Sequence, residues 1–405
     1  MEKTDDFIDD FIKEIRFIYD GSSLCRWNDQ NRNDGGFAEP DKHGHKMSIA
    51  TYIGKRLEAK GIKIDWQTLY FGCFYEYLFK CWHTDLRPPA AAILKENFAE
   101  SVKAARKALS EKYGFPEDIC REFEEYLLTD YQSSLEKQIL DAASKLATHW
   151  EYHQVAACNT LTPDLITRGQ EIEANVRKLP LAVEMLEDPD FIAYNEILGQ
   201  LRKQKRWTRL DILVRTTDIG HEYMVAMMSL LFARYLKICD KGIENLVMTA
   251  LLHDHPEAFT GDVPTTVKDC TPFFRERLHQ EEEKYIKTTF LPLFPESQRE
   301  NVFLWTFSNS RDTIVLDGKR VDLENKEDIL NYNEDIYSPI LGRLAKICDT
   351  LSGFYEAYVS IESGIRPREL RNAFERYYQQ NKDLKLYGID FGKIFRTLWE
   401  DAYSH

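Results

Sequence analysis

The sequence predicts an all-α protein, on three observations. Apolar residues recur at three- and four-residue spacing through 47–57, 222–238, 245–253 and 342–361. Alternating, strand-like stretches are few, and the best of them is TIVLDGKRVDL (313–323), with Asp317-Gly318 as a hairpin turn. The composition, 43% apolar and 30% charged, is that of a folded chain, and 405 residues suffice for two or three domains.

In chain order, MEKTDDFIDDF is acidic and amphipathic, without the basic start or apolar centre of a signal peptide. MSIATYIGKRL (47–57) is the first strongly periodic helix. The polar, Pro-containing stretch 160–190 is expected to be a linker helix, giving domains 1–157 and 193–405 joined by 158–192. EYMVAMMSLLFARYLKI (222–238), NLVMTALLH (245–253) and GRLAKICDTLSGFYEAYVSI (342–361) form the helical body of the second half. No stretch reaches the roughly 18 apolar residues of a membrane span. Eight scattered cysteines with no CxxC pair read as reduced thiols, so a cytoplasmic location is expected. A net charge of -14 speaks against nucleic-acid and membrane partners, but leaves room for a local pocket that takes a small anion.

The two halves share an order of motifs. CRW (25–27) and KRW (205–207) each precede a Gly-His, at His45 and His221, that opens an amphipathic helix closed by Gly-Ile. Further on, ILDAASKL (139–146) matches KICDTLSG (346–353), setting Asp141 against Asp349. An ancient duplication, folded as an internal pseudo-dimer, is the expectation.

Chemistry concentrates in LLHDHPEAFTGDVPTTVK (251–268). His221 begins one helix, His253 and Asp254 end the next, and Asp349 lies in a later one. Two imidazoles and two carboxylates suit a borderline divalent ion such as Mn, Co, Fe, Ni or Zn. Pro256 cannot donate to the Leu252 carbonyl, so the helix should stop just after His-Asp and leave both side chains at a mouth. Each residue has a plainer alternative: a hydrogen-bonded core histidine, or an Asp349 paired with Lys346 or Arg343. The full string, with Glu257, Asp262, hydroxyls and Lys268 inside a dozen residues, is harder to explain that way.

With these residues in view, 195–365 resembles the HD-superfamily phosphohydrolases, and among them the bacterial 5'-deoxynucleotidases. The matching motifs are Arg206-Trp207, Arg215-Thr216, His221, His253-Asp254, Glu257, TGDVPT (260–265) and Asp349. The resemblance implies an HD-domain helical bundle with one divalent ion, Mg included, on His221, His253, Asp254 and Asp349. It implies Glu257 as the residue that orients water or protonates the leaving 5' oxygen. Arg206 would grip the phosphate, Trp207 wall the pocket and Asp262 accept from a sugar hydroxyl, with Arg215, Thr265 and Lys268 nearby. The basic run RKQKRWTR (202–209) supports an anionic substrate, although a solvated helix face explains Arg202, Lys203 and Lys205 equally well. Two departures stand out: Ile219-Gly220 replaces the family's small-acidic pair, and a divergent 285–335 leaves base contacts unassigned.

The first half has no His-Asp in YFGCFYEYLFKCWHTDLRPP (70–89); Tyr75-Glu76 takes its place, and Thr84-Asp85 with Pro88 looks like a remnant of the turn. It reads as a copy without a metal site, with His83 and His149 leaving room for a different one. The expected activity is removal of the 5'-phosphate from (deoxy)nucleoside monophosphates. Alternatives are a nucleotide pyrophosphohydrolase or phosphodiesterase of the same superfamily, and a nucleotide-sensing scaffold. The chain is expected to be a monomer or a further homo-oligomer.

Overall fold

A computed structural model describes residues 2–30, 37–86, 88–129, 133–210, 212–214, 216–268, 270–308, 310–325 and 328–404. The first half runs α1 (Glu2–Asp20), α2 (Glu39–Ala59), α3 (Trp66–His83), α4 (Pro88–Glu96), α5 (Phe98–Glu111), α6 (Glu117–Leu128) and α7 (Leu135–Cys158). Then come α8 (Pro163–Arg177), α9 (Pro180–Glu187) and α10 (Pro189–Lys203). The linker stretch is thus two helices and the start of a third, not one helix. Its prolines sit at helix starts, where a missing N–H costs nothing, and Thr162 and Asp188 cap the first turns of α8 and α10.

The second half runs α11 (Asp218–Leu236), α12 (Asp240–Leu252), α13 (Glu257–Thr260), α14 (Thr265–Lys268), α15 (Pro272–Tyr285) and α16 (Glu296–Phe307). A small antiparallel sheet follows, β1 (Asp312–Leu316), β2 (Lys319–Asp322) and β3 (Ile340–Leu341), in the order β2-β1-β3. Its hairpin turns at Asp317 and Gly318, both with positive φ, as the Asp-Gly pair predicts. The chain closes with α17 (Gly342–Glu362), α18 (Arg368–Asn381) and α19 (Phe391–Ala402).

Helix α11 is the centre of the molecule. Every residue from Asp218 to Ala233 is buried, and the helix packs against α2, α12 and α17. A helix apolar on all sides can only be satisfied inside a bundle. α2 crosses it closely: a side chain at Gly44 would collide with the Ile219 carbonyl, and one at Gly220 with Asp41. Asp41 also accepts from the Thr217 hydroxyl at 2.6 Å, tying the start of α2 to the start of α11. One contiguous apolar core runs through both halves.

Candidate metal centre and anion pocket

Three elements bring the sequence-predicted ligands together. α11 presents His221 from its first turn, α17 presents Asp349, and the end of α12 presents His253. α12 stops at Leu252, two residues short of the His253-Asp254 end that Pro256 suggested. The His255 amide then takes the Leu252 carbonyl that Pro256 cannot serve, and residues 253–256 form a turn.

His221 Nε2 lies 3.1 Å from Asp349 Oδ1, and His253 Nε2 lies 3.8 Å from the same oxygen. Asp254 Oδ2 is 3.3 Å from His253 Nε2 and 3.9 Å from His221 Nε2. Among the described residues, His221, His253 and Asp349 form a cluster that could hold a metal ion, with Asp254 against its imidazoles. Both rings are oriented from behind. His253 Nδ1 lies 2.9 Å from the Ala250 carbonyl, and His221 Nδ1 is 3.0 Å from the Ser352 hydroxyl, itself 2.6 Å from Tyr19 Oη. With the proton on Nδ1, each Nε2 lone pair faces the cluster, as a ligand requires. Buried His253 Nε2 has no hydrogen-bond partner, which fits a cation as its missing neighbour.

The electrostatics favour positive charge here. Burial opposes protonation of His253, but Asp254 and Asp349 raise it well above the ordinary imidazole value. Asp349 has its other oxygen 2.7 Å from Lys346, so the ion pair read as the plainer alternative coexists with the cluster. Arg343 pairs instead with Asp312.

Glu356, two turns beyond Asp349 on α17, organises the wall. It is fully buried and accepts from Trp207 Nε1 and the Thr216 hydroxyl, both at 2.7 Å. Burial pushes its carboxyl up, but Arg206, His221 and Trp207 bring it down to about 2. Trp207 reaches it from a left-handed backbone, φ 56°. Arg206 is held loosely, with Nε 3.6 Å from Glu356, Nη1 3.5 Å from Asp254, and Nε otherwise without a partner. These separations are too long for strong hydrogen bonds, so the guanidinium keeps donors to offer.

Glu257 is buried; Lys268 Nζ sits 2.8 Å from its Oε1, and its Oε2 has no partner. Burial and Asp254 raise its carboxyl to about 8, against the pull of Lys268. Beside these groups lies a cavity of about 730 Å³ lined by Arg206, Trp207, Arg209 and Asp262, with Arg376 and Tyr377 of α18 opposite.

Some sequence readings are corrected. Arg202 is not part of an anion site: it is wholly buried, bonded to Glu151 and 3.2 Å from His45 Nδ1. Lys203 stacks over Trp150. Asp141 is half exposed and bound to Lys137, while His45 is buried against Asn195, so the two are not neighbours. Arg215 lies outside the described residues, and so does the side chain of Thr265. Among the described residues, none in 285–335 lines the cavity; α18 supplies a wall instead. Sequence reasoning missed Glu356, whose signal was a lone acid within the apolar FYEAYV. It also missed Asp218, a buried carboxylate near Glu257 and Arg206 with both oxygens unpartnered. The carboxylate absent from Ile219-Gly220 stands immediately before that pair.

A mostly helical bundle around a buried imidazole–carboxylate cluster has the donor set of a metal-binding site. Residues 198–378 match the family model described as HD domain, a stretch that begins in α10 and ends in α18. HD domains are helical, bind divalent metals and are typically metal-dependent phosphohydrolases, and chemistry of that general kind is what the match supports. No curated protein and no solved structure is significantly similar to the chain.

Proposed function

We propose that the protein hydrolyses the 5'-phosphate of nucleoside monophosphates, deoxynucleotides among them. The observation that carries this reading is Arg206, a part-buried guanidinium whose buried Nε has no partner, between the His–Asp cluster and the 730 Å³ cavity. His221, His253, Asp254 and Asp349 would hold one divalent ion. When bound, such an ion supplies Lewis acidity toward a phosphoryl oxygen and an acidified water. Arg206 forks onto two phosphate oxygens, and Glu356 fixes the Trp207 indole beside them. Protonated at neutral pH, Glu257 has a proton to give to the leaving oxygen. Asp262 lies on the cavity wall, where a sugar hydroxyl would donate to it. The cavity is large enough for a nucleoside, with Tyr377 offering a flat face to a base.

Arg209 and Arg376 also line the cavity, which favours a second reading: a longer phosphate chain, cleaved as by a pyrophosphohydrolase or phosphodiesterase. A phosphate-release screen of nucleoside mono-, di- and triphosphates with Mn, Co and Mg decides. Release from monophosphates that disappears in Asp254→Ala is expected; silence across every substrate and metal would sink both readings.

We also infer that residues 1–157 derive from a copy of the second half. Trp27, φ 53°, is left-handed like Trp207, and its Nε1 donates to buried Glu151 at 3.1 Å as Trp207 does to Glu356. Lys42 lies three residues into α2, as His221 lies three into α11. Ser144 stands seven before Glu151, as Asp349 stands seven before Glu356. Lys42 Nζ donates to Ser144 Oγ at 2.9 Å, a lysine and a hydroxyl where the other half has imidazole and carboxylate. This pairing supersedes His45 with His221 and Asp141 with Asp349. A crystal structure in which α2 and α7 with their Trp–Glu contact failed to superpose on α11 and α17 would remove the reading.

A further inference from the structure

The geometry points to the Tyr377 hydroxyl as a second phosphate-binding donor beside Arg206; the inference rests on the reading of that pocket as a phosphate site. Tyr377 stands on α18 and lines the cavity together with Arg206 and Asp262. Its tip reaches back to α17: a Cβ added at Gly353 would lie 3.0 Å from Tyr377 Oη. Gly353 follows Asp349 by four residues and precedes Glu356 by three, so the three share one face of α17. The hydroxyl therefore lies over the stripe that carries a cluster carboxylate at one end and the carboxylate beside Arg206 at the other. A side chain at Gly353 would press on it.

Stacked rings hold α18 in this register. Phe374, three residues before Tyr377, stacks on Phe354 of α17 with centroids 4.5 Å apart and planes at 12°, and Phe354 is the neighbour of Gly353. From the other side Trp399 of α19 stacks on Phe374 at 5.0 Å and on Tyr378 at 4.4 Å. Asn381 Nδ2 donates to the Tyr377 carbonyl at 2.7 Å. Within this frame the Tyr377 hydroxyl has no hydrogen-bond partner among the described residues. Arg206 is the foremost charged group around it, followed by Asp349 and Glu356. Burial raises the phenol above its ordinary value, so it keeps a proton to donate. An open O–H beside a guanidinium with an open Nε suits an oxyanion. A transferring phosphoryl group spreads its charge over three equatorial oxygens, which gives Arg206 and Tyr377 separate acceptors. The ring behind the hydroxyl still flanks the nucleoside.

The test is calorimetric titration of inorganic phosphate into the full-length chain loaded with Mn, beside steady-state assays on nucleoside monophosphates. Tyr377→Phe keeps the ring and removes only the hydroxyl, so Tm and Mn affinity should match the parent. Phosphate affinity should fall about tenfold or more, as for loss of a hydrogen bond to a charged group. Turnover of a monophosphate should fall by about 10² in kcat. Equal phosphate affinity in parent and variant, or no phosphate binding by the parent, overturns the inference. So does a phosphate loss that merely tracks a loss of Mn, which would make the role structural. A chain that hydrolyses no nucleotide, yet loses phosphate affinity in the variant, would refute the nucleotidase reading and leave Tyr377 as a phosphate donor. Hydrolysis of monophosphates with kcat and phosphate affinity unchanged in the variant would do the reverse.

Discussion

Glu257 is secured on one oxygen by Lys268 and open on the other. That asymmetry suits a proton donor: one oxygen is positioned by accepting from the Lys268 ammonium, and the other is left for the substrate. Glu257→Gln should keep the fold and the metal affinity while lowering kcat by about 10²–10⁴. Because the acid form is the active one, kcat of the parent should fall as pH rises through Glu257's pKa, and the variant should lose that alkaline limb. An unchanged pH profile in the variant would assign the limb to another group. Glu257 was legible in the sequence because it sits three residues from His-Asp, in one local string. Glu356 was not legible, because its role depends on α17 lying beside the Arg206–Trp207 turn, a contact that spans about 150 residues and leaves no local spacing to read. Arg202 shows the converse. A basic run suggests an anion site, but helical geometry sends alternate members of the run in different directions, and Arg202 ends against Glu151.

At the scale of elements, α11, α12 and α17 could be read from periodicity because each turns a wide apolar face to the core. α8 and α9 were harder to separate, since the apolar residues of α8 are sparse, α9 is only two turns long, and proline at helix starts marks the boundaries. α1 carries a testable anomaly. Its Glu14 is 2% exposed, and burial with Asp10 and Asp118 nearby raises its carboxyl from 4.5 to about 8. A carboxyl raised on folding favours the native state below pH 4.5, and that contribution is lost as pH climbs to about 8. The slope is about 1.4 kcal/mol per pH unit between those limits. Glu14→Gln should therefore gain Tm relative to the parent as pH goes from 5 to 8, with the difference levelling above that. A Tm difference independent of pH over that range would show that Glu14 is ionised in the folded chain.

Across the whole molecule, the two halves are joined where α2 crosses α11, and this crossing also sets the first ligand. Gly44 lies against the Ile219 carbonyl, two residues before His221, and Asp41 holds Thr217, the residue that caps α11. A buried ion pair from Lys55 on α2 to Glu244 on α12 extends the join toward the helix that ends at His253. Two of the helices carrying the cluster are thus braced by the first half. Gly44→Ala adds a methyl where backbone, not a flexible side chain, stands in the way, so α11 must shift or α2 must tilt. The expected cost is about 1–3 kcal/mol of stability, the usual range for overpacking a core. A shift at Ile219 moves His221 with it, so affinity of the His221 cluster for a divalent ion should fall in the same variant, measured by Zn titration. A variant that lost stability but kept full affinity would mean that the first half is only packed against the second. Loss of both would mean that the first half holds the metal centre in shape.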